Sequence, residues 1–137
     1  MNLIVRKASV RWKGGTRALQ RSKFFLSRPF KSNVNTDPAE WIAAAHAKSF
    51  LLALAGELGL KRFSKGEILA TATVTREFLA TGWTILKIHL DVVARLSRVT
   101  QGRFIDATVR AKTNCLISRL LRANISMNAK LVKAVLP

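Results

Sequence analysis

Residues 36 to 54 read TDPAEWIAAAHAKSFLLAL, and no other stretch constrains the fold as strongly. Thr36 or Asp37 supplies an N-cap oxygen, and Pro38 stands at the first helical position, where a missing amide donor does no harm. The helix is predicted to run to about Gly56 or Gly59, because glycine takes the left-handed closing conformation without a Cβ penalty. Nearly every side chain in between is apolar or small, so no face is reserved for water. Such a helix sits centrally and packs closely against a neighbour. His46, Lys48 and Glu57 interrupt the apolar run and Ala and Gly dilute it, which favours a buried helix over a membrane span.

The segments around this helix have a different period. In the first 35 residues Leu3, Val5, Lys7, Ser9 and Arg11 alternate with Ile4, Arg6, Ala8, Val10 and Trp12, as in a strand, and breaks follow at Gly14-Gly15 and near Pro29. Two or three short strands are expected there. Ile68 to Phe78 and Trp83 to Val93 are rich in Thr, Val and Ile and are joined by Ala80-Thr81-Gly82, a hairpin within 67–94. Residues 101 to 123 read as helical, with Phe104, Ile105, Thr108 and Val109 on one side and a break near Asn114 before Leu116, Ile117, Leu120 and Leu121. From 124 to 135 the chain returns to alternation. Strands at 1–35, a helix at 37–59, a hairpin, a second helical region and a last strand do not alternate strictly, so the order describes an α+β fold rather than a doubly wound sheet. One domain over 1–137 is expected, since 49% hydrophobic residues supply a real core.

Charge narrows the partners. The chain carries 24 Lys and Arg against 7 acids, a formal net charge of +17. Arg6, Lys7, Arg11, Lys13, Arg17, Arg21, Lys23, Arg28 and Lys31 all precede the first acid, Asp37, and Arg110, Lys112, Arg119, Arg122, Lys130 and Lys133 follow the last, Asp106. Self-repulsion on that scale opposes compaction unless counterions or a polyanion offset it, so RNA or another polyanion is a candidate partner. A solvated basic surface is the plainer account. The acid-free, Arg-rich start resembles an organellar transit segment only superficially, because its strand-like alternation marks it as structure, and no charged-then-apolar signal peptide is present.

The chemistry-bearing residues are few. One cysteine, Cys115, excludes an intramolecular disulfide and a four-cysteine metal site, and His46 and His89 lack partners at metal spacing, so neither metal nor cofactor is expected. The chain reads as cytoplasmic or of an organellar matrix. No P-loop, dinucleotide glycine pattern, GXXG loop or zinc-finger spacing occurs. Trp12, Trp41 and Trp83 can stack on bases, but core packing is the expected role. Ser49 has no base and acid at triad spacing and reads as a small packing residue, while His46, three residues earlier, can share its face. Cys115 has two readings: a small buried hydrophobe, or a thiolate at a helix start with Arg110, Lys112 and Arg119 nearby.

Taken together, TDPAEWIAAAHAKSFLLALAGELGL at 36–60 and AKTNCLISRLLRANISMNAKL at 111–131 resemble the OsmC/Ohr family of thiol peroxidases. In that family the first segment holds a Thr-Asn-Pro-Glu start, a His and a reactive Cys-Phe, and the second reads Ala-Lys-x-x-Cys-Pro-Val-Ser. The resemblance implies antiparallel sheets wrapped around two central helices in an intertwined homodimer. It also implies reduction of organic hydroperoxides by a two-cysteine cycle with a dithiol reductant, in which an Arg oriented by a Glu holds the first sulfur ionised. Positions 39 and 49 lie roughly 15 Å apart along one helix at ~1.5 Å per residue, so in such a site the partner subunit would bring the two together.

This chain departs from that pattern at the reacting atoms. The attacking cysteine falls on Ser49 and the organising Glu on Ala39, with Glu40 one residue later on a different face. The arginine falls on Arg28, directly before Pro29, or on Arg17, and Leu116 replaces the proline after the second cysteine. Cys115 and His46 match. The expectation is impaired or lost peroxidase activity, and the alternative is a scaffold reused as a basic RNA-binding component of a ribonucleoprotein, its phosphate contacts drawn from Arg6, Lys7, Arg11, Lys13, Arg17, Arg21, Lys23, Arg110, Lys112, Arg119 and Arg122.

Overall fold

Helix α1 (Pro38–Leu58) is built by its ends and by burial. Asp37 is the N-cap: its carboxylate accepts from the Ala39 amide at 2.8 Å, and Pro38 opens the first turn. At the other end Gly59 takes φ 66°, its amide donates to Gly56 O at 3.1 Å, and the Leu60 amide donates to Ala55 O at 2.9 Å. This paired closure requires a residue without a Cβ penalty at position 59. The Arg103 guanidinium adds a 2.8 Å bond to Leu58 O, placing a cation on the negative end of the helix. Here and below, the computed structural model describes residues 3–14, 23–26, 37–60, 65–121 and 124–132.

The architecture is α+β, as the order of elements implied. Strands β1 (Leu3–Lys13), β2 (Lys23–Leu26), β3 (Gly66–Leu79), β4 (Gly82–Leu96) and β5 (Asn124–Val132) form one sheet in the order β2-β1-β3-β4-β5. Neighbours are antiparallel except β4 and β5, which run parallel, so the sheet is mixed rather than antiparallel throughout. The physical reason is the crossover: helices α2 (Gln101–Asn114) and α3 (Leu116–Leu120) carry the chain back along one face before β5 begins. The hairpin extends to Gly66 and Leu96, beyond 67–94, and its turn is the expected one, with Gly82 at φ 112°.

The core lies between the sheet and the helices. Ala8, Val10 and Trp12 of β1, Ile68, Ala70, Ala72 and Val74 of β3, and Ile88, Leu90, Val92 and Ala94 of β4 are buried toward α1, while alternate residues face away. From α1 come Ala39, Ala43, Ala47, Phe50, Leu51 and Leu54, and from α2 Phe104, Ala107 and Ala111. Alanines on both the sheet and the helix bring the two backbones close.

Two expectations about packing are corrected. The buried side of α2 is Phe104, Ala107, Thr108 and Ala111, whereas Ile105 and Val109 are exposed, because the helix packs through Phe104 and the small residues at i+3, i+4 and i+7 from it. Of the tryptophans only Trp12 is core; Trp41 and Trp83 are about half exposed, and the Arg76 guanidinium lies 4.3 Å from the centroid of Trp83. The helical region ends at Leu120, short of 123.

Glycines separate by environment, and stability measurements by denaturant titration should separate them likewise. Gly66 has φ 131°, and a Cβ there would lie 2.4 Å from Arg95 O and 2.8 Å from Leu96 Cδ2, so Gly66→Ala is expected to cost about 2 kcal/mol or more. Gly56 is helical, exposed and unobstructed, so Gly56→Ala is expected to gain roughly 0.5 to 1 kcal/mol.

Candidate functional site

Cys115 occupies the single non-helical position between α2 and α3. Its amide still bonds Ala111 O at 2.8 Å and its carbonyl accepts from the Arg119 amide at 3.1 Å, so the residue joins both helices while the backbone turns at φ −59°, ψ 129°. The expected break near Asn114 is therefore present, and it points the thiol inward at 1% exposure. Its Sγ donates to Ser49 Oγ at 3.1 Å, across from the middle of α1. One turn back along α1, buried His46 places Nε2 2.9 Å from Ser118 Oγ. Ser118 lies three residues after Cys115, on the same helical face. Ser49, His46, Cys115 and Ser118 thus meet where α1 packs on α3.

The electrostatics follow from these contacts. Burial pushes the Cys115 thiol up, but the hydrogen-bonding groups of His46, Ser49 and Ser118 around the sulfur favour the thiolate, outweigh burial and pull it from the ordinary 9.0 down to about 6. The lowering comes from these neighbours rather than from Arg110, Lys112 or Arg119, which the sequence placed beside the sulfur. Arg110 instead pairs with Asp106 at 3.2 Å on the exposed side of α2. Among the described residues, buried His46 Nδ1 has no hydrogen-bond partner within ordinary reach.

The acidic residues gather elsewhere. Asp37 Oδ2 accepts from Arg76 Nη2 at 2.6 Å and lies 3.4 Å from Arg6 Nε, and Glu40 lies 3.7 Å from the same Arg6 atom. Ala39 is buried at 2% exposure beneath this cluster. The twelve residues from Asp37 to Ser49 span roughly 18 Å of helix at ~1.5 Å each, so within one chain the cluster and the thiol are separate. Arg28 and Arg17, the arginine candidates, lie outside the described residues, as do Arg21 and Arg122 and the side chain of Lys23. Sequence reasoning missed Arg76, Asp37's second role and Ser118. The i+3 spacing from Cys115 was the available signal for Ser118; nothing local marked Arg76, which reaches Asp37 only through strand pairing.

The basic residues divide between faces. Lys7, Arg11 and Lys13 point from β1 to the open side of the sheet, Arg6 points to the helical side, and Arg110, Lys112 and Arg119 lie on α2 and α3. Among the described residues no group of three or more His, Cys, Asp or Glu is placed to hold a metal ion, and no helix is long and apolar enough to cross a membrane.

Comparison with known proteins fits this fold. No family model matches the chain. It is 30% identical over 113 residues to peroxiredoxin OsmC of Escherichia coli strain K12, covering 82% of this chain and 79% of that protein, and matches the protein of the same name from Shigella flexneri equally. Among solved structures, an OsmC-like protein of unknown function from Vibrio cholerae superposes with TM-score 0.60 at 16% identity, over 93% of this chain and 97% of that one. An organic hydroperoxide resistance protein from Elizabethkingia anophelis superposes with TM-score 0.56 at 16% identity, over 97% and 96%. The structural likeness concerns the fold; with the sequence identity, it establishes that this chain belongs to the OsmC family.

The hydrogen bonds around Cys115 make a pH prediction. Alkylation of Cys115 by a small haloacetamide should rise with an apparent pKa of about 6, and Ser49→Ala or His46→Ala should move it upward. Because the folded thiol ionises below the ordinary 9.0, folding stability should increase as pH rises from about 6 to 9 and lose that increment as pH falls back through 6. Denaturant midpoints of the unmodified chain and Cys115→Ser across that window check the sign; Cys115→Ser should be flatter.

Proposed function

We propose that this chain is an OsmC-family thiol protein in which the two-cysteine peroxide cycle does not run and Cys115 alone carries the remaining redox chemistry. The observation supporting this reading is the 3.1 Å contact between Cys115 Sγ and Ser49 Oγ, a sulfur facing a hydroxyl where the family resemblance implies two thiols. A neutral hydroxyl does not attack peroxide by this route, and buried Ala39 cannot orient an arginine.

The chemistry open to Cys115 balances without a second cysteine in the chain. The thiolate attacks one oxygen of an organic hydroperoxide, the O–O bond breaks, and sulfur is oxidised by two electrons to sulfenic acid. The departing alkoxide takes a proton and leaves as the alcohol. An external thiol then condenses with the sulfenic acid, releasing water and forming a mixed disulfide. A second external thiol displaces Cys115 and restores it. Ser49, His46 and Ser118 favour the thiolate, while 1% exposure restricts access, so turnover is slow. The reading includes a reducing compartment, cytoplasmic or an organellar matrix, and a homodimer. Exposed Leu52, Val109, Leu116 and Leu120 on the helical side give a second copy an apolar surface to cover.

A second reading, an OsmC scaffold reused as a basic RNA-binding or ribonucleoprotein component, draws support from the cations on the open face of the sheet.

The first reading is tested by hydroperoxide consumption with a dithiol reductant. The unmodified chain should turn over slowly and Cys115→Ser not at all; turnover that survives Cys115→Ser overturns the assignment of Cys115. Ser49→Cys should raise turnover and, after one equivalent of hydroperoxide, show the mass loss of an intramolecular disulfide, since the atoms concerned already lie 3.1 Å apart. It should remain a poor enzyme because Ala39 is unchanged. Light scattering checks the dimer, and Leu116→Glu with Leu120→Glu should shift the mass toward monomer.

A further inference from the structure

Strand register gathers cations that are scattered in the sequence. On the side of the sheet away from α1, β1 exposes Lys7, Arg11 and Lys13, β4 exposes Lys87 and Arg95, and β5 exposes Lys130. Pairing aligns them in rows: Lys7 with Thr73, His89 and Ser126; Arg11 with Leu69, Val93 and Lys130; Lys13 with Glu67 and Arg95. With strands ~4.8 Å apart and ~3.3 Å of rise per residue, the cations of β1 and β5 stand roughly 14 Å apart and those of β1 extend over roughly 20 Å.

The middle of this face carries hydroxyls beside the apolar pair Leu69 and Val93. Ser9 and Thr71 share a hydrogen bond at 2.7 Å across β1 and β3, and Ser126 lies 2.6 Å from His89 Nδ1 across β4 and β5. Asp91, the acid nearest the centre, is engaged by His89 Nε2 at 3.2 Å. Glu67 stands between Lys13 and Arg95 at one end of the face, and Asp37 and Glu40 lie on the opposite side of the sheet, so six cations face two acids here.

We infer, building on the RNA-binding reading above, that the open face of the sheet is where the phosphodiester backbone of RNA docks. The flanking cations hold phosphates, and Thr71, Thr73 and Ser126 bond ribose 2′-hydroxyls. Two features select this ligand over other polyanions. The cations flank the hydroxyls of Ser9, Thr71, Thr73 and Ser126, which suit a sugar hydroxyl. No Phe, Tyr or Trp stands among the outward residues of β1, β3 and β4 between Lys7 and Lys13, Glu67 and Thr73, and His89 and Arg95, and His89 is held by Ser126 and Asp91, so binding runs through backbone contacts and is tolerant of sequence.

The test is fluorescence anisotropy with oligouridine RNA, its deoxyribose counterpart and polyglutamate, between ~0.05 and ~0.2 M salt. The unmodified chain should bind RNA with strong salt dependence and prefer it to both other polymers. Lys7→Gln, Arg11→Gln and Lys13→Gln combined should weaken RNA binding on the order of 100-fold near 0.1 M salt and flatten the log–log salt slope by about 2. If that triple variant fails to fold, each single change should flatten the slope by about 0.7. Arg110→Gln, Lys112→Gln and Arg119→Gln on the helical side should leave the affinity nearly unchanged. Thr73→Val should narrow the preference for ribose over deoxyribose.

A helical-side variant that weakens binding as much as the β1 variant would overturn the placement on the sheet while leaving RNA binding intact. Equal binding of polyglutamate or the deoxyribose polymer would overturn the choice of RNA. No RNA binding by the unmodified chain would overturn both the face and the reading beneath it.

Discussion

The burial of α1 is the constraint from which the remaining structure follows. A helix with apolar or small residues on nearly all sides must be covered by more than one element, and here β1 and β3 cover one side and α2 and α3 others. Alanines at 43 and 47 against alanines at 8, 70 and 72 let helix and sheet approach closely, while Phe50, Leu51 and Leu54 fill the volume that remains. That close approach carries Ser49 and His46 against the junction of α2 and α3. The thiol environment is thus a product of core packing, not of a surface cleft.

The electrostatic character of Cys115 follows from its location in that core. An ionised sulfur at 1% exposure without a nearby cation would be costly, and burial does push its pKa upward. Three hydrogen-bonding neighbours reverse the sign. Such stabilisation is local: it depends on the 3.1 Å contact to Ser49 and on the α3 turn that presents Ser118.

Charge follows the opposite logic from burial. Three of the seven acids serve the fold around the helices, Asp37 as a helix cap that also binds Arg76 and Arg6, Glu40 beside it, and Asp106 along α2. The excess cations are consequently left on the sheet's open face and on the exposed sides of α2 and α3. A net charge of +17 is tolerated because strand pleating and helix geometry keep these groups apart and in water.

Much of this was legible from local rules. Asp37, Pro38 and Gly59 fix the ends of α1 by hydrogen bonds that involve only neighbouring residues, and alternation in β1 and the glycine turn at 82 mark strands for the same reason. The lone Cys115, the serine at 49 and the alanine at 39 were likewise plain in the sequence, together with the chemistry they exclude. What only the tertiary structure decided are the contacts between distant segments. Sixty-six residues separate Cys115 from Ser49, thirty-nine separate Arg76 from Asp37, and the parallel pairing of β5 with β4 depends on where two helices return the chain. No periodicity encodes such pairings, because a period reports which face a residue occupies and not which partner meets it there. Packing supplies the partner, and with it the hydrogen bonds that shift the thiol.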